Sequence, residues 1–231
     1  MKYLMVWGLM LAYVSTAWSM DMQWVIKNVE TRFKLPVAQV PEFTSDARRD
    51  EGFQRSMQIA SAYRESNSPK DALRKYVFAF HVKPDDPSAL FMIGTVLIEL
   101  KGYEEAIAIF EELDARKLAG AGVNNNLGWI YCTAEDPKFR DGRKAEQYAL
   151  KALFSGEATA GDYHVWSTLA EARYIYGNYE GAFRAATQAF MLAQAATNNE
   201  AQLQDYKELL EKCERAWGAE KEWADNAKVK K

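Results

Sequence analysis

At 231 residues and 48% hydrophobic composition, the chain can bury one core or one extended stack, and its six prolines and 13 glycines exclude long low-complexity stretches. Its formal net charge is −3, with acids and bases interspersed along the chain. That balance excludes a nucleic-acid-binding basic block and a solvating acidic tail; the final Ala227–Lys231 is only a short basic end.

The N-terminus reads as a targeting segment. Lys2 supplies a minimal positive charge, and Tyr3 to Val14 is an uncharged apolar run. Ser15, Thr16, Ala17, Trp18 and Ser19 then offer small residues at signal-peptidase spacing, with cleavage expected after Ala17 or Ser19. The apolar stretch continues to Met20, near the lower limit for spanning a bilayer, so residues 3–20 acting as an inner-membrane anchor are the alternative to a signal over residues 1–19. No cysteine follows the run, which argues against a lipoprotein anchor.

Residues 20–49 form a separate N-terminal region. Ile26, Val29 and Phe33 share one helical face with Val25 beside them, which predicts a short amphipathic helix. Pro36 and Pro41 make the next stretch extended. Thr44 or Ser45 is then placed to cap a helix.

From about residue 50 to 196 the pattern repeats. In the first unit, Ile59, Ala60 and Tyr63 face neighbouring helices. A turn follows with Ser68 as cap, Pro69 in the first helical turn and Asp71 complementing the dipole, and then a helix carries Ala72, Tyr76 and Ala79. The second unit places Leu90, Ile93, Gly94 and Leu97 before Tyr103, Ala106 and Phe110. Its small residues have a packing reason, because helices cross closely only where side chains are small. Ala72 and Ala106 stand 34 residues apart. The third unit departs from this period. Its second helix carries Ala145, Ala149 and Ala152, so about five extra residues enlarge the turn, and Asp141 is placed to cap that helix. The fourth unit is regular, with Trp166, Leu169, Ala170, Gly177, Tyr179, Ala182, Ala186 and Ala189. In residues 197–231, Thr197 and Glu200 stand in capping-box spacing, and Leu203, Tyr206, Leu210 and Cys213 form one face of a last helix that Trp217 and Trp223 extend.

These features resemble the tetratricopeptide repeat (TPR) family, whose helix–turn–helix period is 34 residues. The third and fourth units are similar to a bacterial variety, whose marks here are Asn126-Leu127-Gly128-Trp129, the turn from Asp136 to Gly142, and Tyr148-Ala149-Leu150-Lys151-Ala152. The resemblance implies an all-α, right-handed α-solenoid of about four helix–turn–helix repeats with a C-terminal capping helix. It also implies protein or peptide binding, with no enzyme activity and no cofactor. Some family members hold a terminal carboxylate with lysines and asparagines. The equivalent positions here lack that set, Arg64 being the only base among them.

If the repeats return equivalent positions to one face, a peptide-binding groove is expected from Met57, Arg64, Phe91, Ile98, Asn125, Trp129, His164, Glu171 and Tyr174. An aromatic groove suits an apolar peptide or amphipathic helix; the competing reading is a groove already filled by the N-terminal helix or by tight curvature. Asn124, Asn125 and Asn126 are read either as helix-start chemistry or as amides that bind peptide backbone. The acids and bases of the enlarged turn are read as local ion pairs and caps rather than a cation site.

Two histidines, His81 and His164, lie in different units, without HExxH, CxxC or a His–Cys ligand cluster, so no metal site is expected. A Walker-type loop and a G-x-S-x-G elbow are both missing from the sequence. Cys132 and Cys213 fall in units offset along a stack, so two buried unpaired thiols are expected rather than a disulfide. The expectation is a non-catalytic protein- or peptide-binding scaffold of the bacterial cell envelope, secreted or periplasmic. It has no nucleic-acid partner and meets the membrane only through an uncleaved N-terminus. The alternatives are an envelope enzyme, or its dedicated subunit, with chemistry in residues 21–49 or at the groove, and an anchored adaptor facing the cytoplasm.

Overall fold

The computed structural model describes residues 22–156 and 161–229. The signal or anchor expected at the N-terminus lies outside them. Among the described residues there is no strand, and no helix is long and apolar enough to cross a membrane. The chain divides into two units, residues 1–112 and 113–231.

The first unit opens with α1, covering residues 22–32. Val25, Ile26 and Val29 are buried on one face, as the periodicity predicts, and Met22 joins them, whereas Phe33 falls just past the helix end and is half-buried. An extended segment follows, and its Phe43 packs on Gly52, where an added Cβ would lie 2.9 Å from the ring. The helix pair α2 (Asp46–Glu65) and α3 (Pro69–Val82) is the first repeat. Ser45, in extended backbone, caps α2 by accepting from the Arg48 N–H at 3.3 Å. α2 therefore starts directly after one of the two expected caps. Ser68 precedes α3 but its side chain makes no cap bond, contrary to expectation. The Ser68 N–H closes the preceding turn onto the Tyr63 carbonyl at 2.8 Å, and its hydroxyl turns back to Ser66.

The second repeat is α4 (Pro87–Glu99) and α5 (Tyr103–Ala115), the latter crossing the boundary between units. Asp86 caps α4 through the Ser88 N–H at 2.9 Å. The packing reason for Gly94 is direct: a Cβ there would sit 2.6 Å from two carbons of the buried Phe110 ring. Ala72, Ala79, Ala89 and Ala106 are completely buried.

In the second unit, α6 (Ala121–Thr133) and α7 (Gly142–Phe154) form the third repeat, and α8 (Tyr163–Ile175) and α9 (Tyr179–Ala196) the fourth. The enlarged turn is folded by its own polar groups. Asp136 caps a short 3-10 turn, Pro137–Phe139, through the Lys138 N–H. Arg140 donates to the Ala134 carbonyl at 2.6 Å and to that of Glu135 at 3.3 Å. Asp141 caps α7 by accepting from Arg143 and Lys144 N–H groups. Gly142 is required because α8 passes so closely that a Cβ would lie 2.7 Å from Ile175.

The last helix, α10 (Glu200–Val229), packs on α9 and α8. Its cap is Asn199, whose side chain accepts from Gln202 N–H at 3.2 Å, rather than the Thr197–Glu200 box. Thr197 ends α9, and its hydroxyl accepts from the Asn199 N–H. Tyr206, Leu209 and Cys213 are buried, with Leu210 only at the margin of that core. Trp217 continues the face, stacked on Phe183 with centroids 5.0 Å apart, whereas Trp223 is 75% exposed. Cys132 and Cys213 are both buried and unpaired.

Candidate peptide-binding surface

The residues expected to form one groove fall in both units. Met57 and Arg64 lie on α2, with Phe91 and Ile98 on α4. Met57, Phe91 and Ile98 are half-buried. The Phe91 ring is tilted against Phe110 with centroids 6.3 Å apart. Arg64 reaches from α2 to α4, donating from Nε (3.0 Å) and Nη2 (2.5 Å) to Glu99 Oε1. Burial raises the pKa of the adjacent Tyr76 phenol, against which the Arg64 charge pulls downward. The only base of the expected set is therefore already committed to a carboxylate of the same unit. The polar anchors of α1 go to the second helices of the repeats: Glu30 meets His81 Nε2 on α3 at 2.9 Å, and Arg32 meets Glu105 on α5 at 2.5 Å.

In the second unit, three expected residues sit on α8 and all three are engaged by α10. The Tyr206 hydroxyl meets His164 Nδ1 at 2.8 Å. Lys212 pairs with Glu171 at 2.6 Å, and its ammonium lies 4.2 Å from the centroid of the Tyr174 ring. Burial first, then the neighbouring Tyr163, pushes the Tyr206 phenol up to about 12. Tyr206 and Lys212 were not among the expected residues. The apolar face carrying Tyr206 and Cys213 signals a helix that packs, but nothing in the sequence indicates which side chains of α8 it engages.

Asn125 and Trp129, one turn apart on α6, have a different environment. Trp129 is 39% exposed. The Asn125 Oδ1 is buried and has no hydrogen-bond partner; Asn124 Oδ1 is in the same state, although its amide donates to the Gly120 carbonyl at 3.2 Å. Helix-start chemistry thus accounts for the Asn124 donor but leaves two acceptors unmatched. A buried unmatched acceptor costs about 1–3 kcal/mol. Asn126 is engaged within the chain.

Catalytic groups are less evident. His81 and His164 are engaged by Glu30 and Tyr206. Burial pushes the Cys132 thiol far above its ordinary range and the Cys213 thiol up to about 12, with the Glu171 carboxylate adding to both shifts. Among the described residues no group of His, Cys, Asp and Glu is placed to hold a metal ion.

No family model and no curated protein matches the chain. Solved structures do. MamA from Desulfovibrio magneticus RS-1 aligns over 76% of this chain and 97% of its own at 16% identity, with a TM-score of 0.50. PilF of Pseudomonas aeruginosa aligns over 71% of this chain and 78% of its own at 17% identity, with a TM-score of 0.51. At these identities the likeness is one of fold: the chain has the all-helical repeat architecture of TPR proteins.

Proposed function

We propose that the chain is a non-catalytic TPR scaffold of the cell envelope that binds a protein or peptide, with α6 as its contact element. The reading rests on Trp129 and Asn125. An indole left open to solvent stands one helical turn from a buried acceptor without a donor. Large aromatic side chains dominate binding energy at protein interfaces, and an Asn125 side chain turned outward offers its amide oxygen to an N–H of a peptide backbone or side chain. The residues on α8 are assigned to holding α10 in place instead.

A photocrosslinking residue at position 129, introduced in the native chain in cells, tests this. Capture of one abundant protein, lost when Asn125→Ala is added, supports α6 as the contact element. Purified Trp129→Ala should then bind that protein at least about 2 kcal/mol more weakly while circular dichroism shows an unchanged melt. Normal binding alongside a collapsed melting temperature would assign Trp129 to the fold and reject the proposal.

A further inference from the structure

The outward face of α1 has a composition that the repeat fold does not require. Met22, Val25, Ile26 and Val29 point into the first unit. On the opposite side, at helical spacing, stand Trp24, Lys27 and Thr31, with Lys34 at the edge just past the helix end. Trp24 is 65% exposed, the larger of the two ring systems on α1 and the turn after it, yet it faces away from the core. Lys27, Thr31 and Lys34 are exposed as well. Neither lysine forms an ion pair with a described residue, and the Thr31 hydroxyl is satisfied by the Lys27 carbonyl at 2.8 Å. The charged groups on the flanks are already occupied, Glu30 by His81 and Arg32 by Glu105. The outward face of α1 therefore offers an indole and two ammonium groups, with no described carboxylate among them.

Its place in the chain supplies the second argument. Trp24 follows the end of the uncharged apolar run, Tyr3 to Met20, by four residues, with one acid, Asp21, between them. A run of that length is near the lower limit for crossing a hydrocarbon core, and a residue four positions beyond its end lies within reach of the headgroup layer. Tryptophan concentrates in that layer, and lysines beside it are drawn to anionic lipid.

We propose that residues 3–20 remain as a bilayer anchor and that α1 lies along the membrane surface, with Trp24, Lys27 and Lys34 seated on anionic lipid headgroups. The first two repeats are thereby fastened to the bilayer through Glu30 and Arg32, the residues that join α1 to α3 and α5. This goes beyond the proposed peptide contact, which concerns α6 and stands or falls separately.

The test uses the full chain reconstituted in vesicles of phosphatidylcholine, with or without phosphatidylglycerol. An environment-sensitive dye is attached to Trp24→Cys or, separately, to Thr31→Cys; Cys132 and Cys213 are buried and do not compete for it. Position 31 lies about 10 Å beyond position 24 along the helix, so it reaches the lipid only if α1 lies flat. The expected result is quenching of both dyes by spin-labelled lipid. Adding Lys27→Glu and Lys34→Glu should reduce quenching at position 31 by about twofold or more in the anionic vesicles alone. Quenching at 24 but not at 31 would overturn the proposal, because α1 would then stand away from the surface. Shielding of both dyes from aqueous iodide without lipid quenching would also overturn it, since that pattern marks a protein docked on the face. So would N-terminal sequencing that finds the cellular chain cut after Ala17 or Ser19.

Discussion

Lysine is an unusual choice for the left-handed backbone region, yet Lys34, Lys101 and Lys117 adopt φ values of 51°, 59° and 59°. Each follows a helix end, as Asn67 and Gly177 do elsewhere. The reason is a shared turn. After α5 the Lys117 N–H bonds the Asp114 carbonyl at 2.9 Å and the Leu118 N–H bonds that of Leu113 at 2.9 Å. The same pair of bonds recurs after α1, α2, α4 and α8. It satisfies carbonyls that the helix end would otherwise leave open, and this gain holds a non-glycine residue in a conformation costing about 1–2 kcal/mol. Lys117→Gly removes that strain but increases the freedom of the unfolded chain, so the net stabilisation should be about 0.5–1 kcal/mol, raising the melting temperature by about 1–4 °C. A drop in melting temperature on calorimetry would mean that the lysine side chain makes a contact worth more than the strain. Where glycine is retained, the cause differs: Gly94 and Gly142 are held by the space that Phe110 and α8 occupy.

At the scale of helices, caps decide the ends, and α10 offers a clean case. Asn199→Ala should cost about 1 kcal/mol because it strips the acceptor from the Gln202 N–H, whereas Thr197→Ala should cost distinctly less. Urea denaturation of both variants checks the order; a larger loss at Thr197 would restore the capping-box reading. This element also shows how far sequence reaches. Helix pairing, Asp141 as a cap, and the tight crossing at Gly94 were all legible, since each depends on residues a few positions apart or on a repeated small residue. Asn199 displaced Thr197 because the competition between adjacent polar residues depends on where the preceding helix releases the chain. The engagement of His164, Glu171 and Tyr174 was not legible. Tyr206 and Lys212 lie about forty positions away, and nothing local indicates that α10 docks on α8 rather than leaving it open. Arg64 was hidden in the same way by Glu99, 35 residues on in the next first helix.

For the molecule as a whole, the question is whether damage to one unit spreads to the other. Stacked repeats behave as a chain of modules in which each stabilises its neighbours, so a local defect need not unfold the entire stack. The two buried thiols make this measurable, because both belong to the second unit and neither reacts until that unit opens. Gly94→Val places atoms within the Phe110 ring contact and should destabilise the first unit by about 1–3 kcal/mol through overpacking. Circular dichroism in urea should show helix lost at lower denaturant than in the parent chain. Alkylation of Cys132 and Cys213 at low urea should keep the parent rate, because the core of Leu169, Ala170, Ala182, Leu209 and Cys213 is made by the second unit alone. The α5 helix runs through the division between the units, with Phe110 before it and Leu113 after it. If alkylation accelerates in step with helix loss, α5 transmits the defect and the two units unfold as one cooperative body.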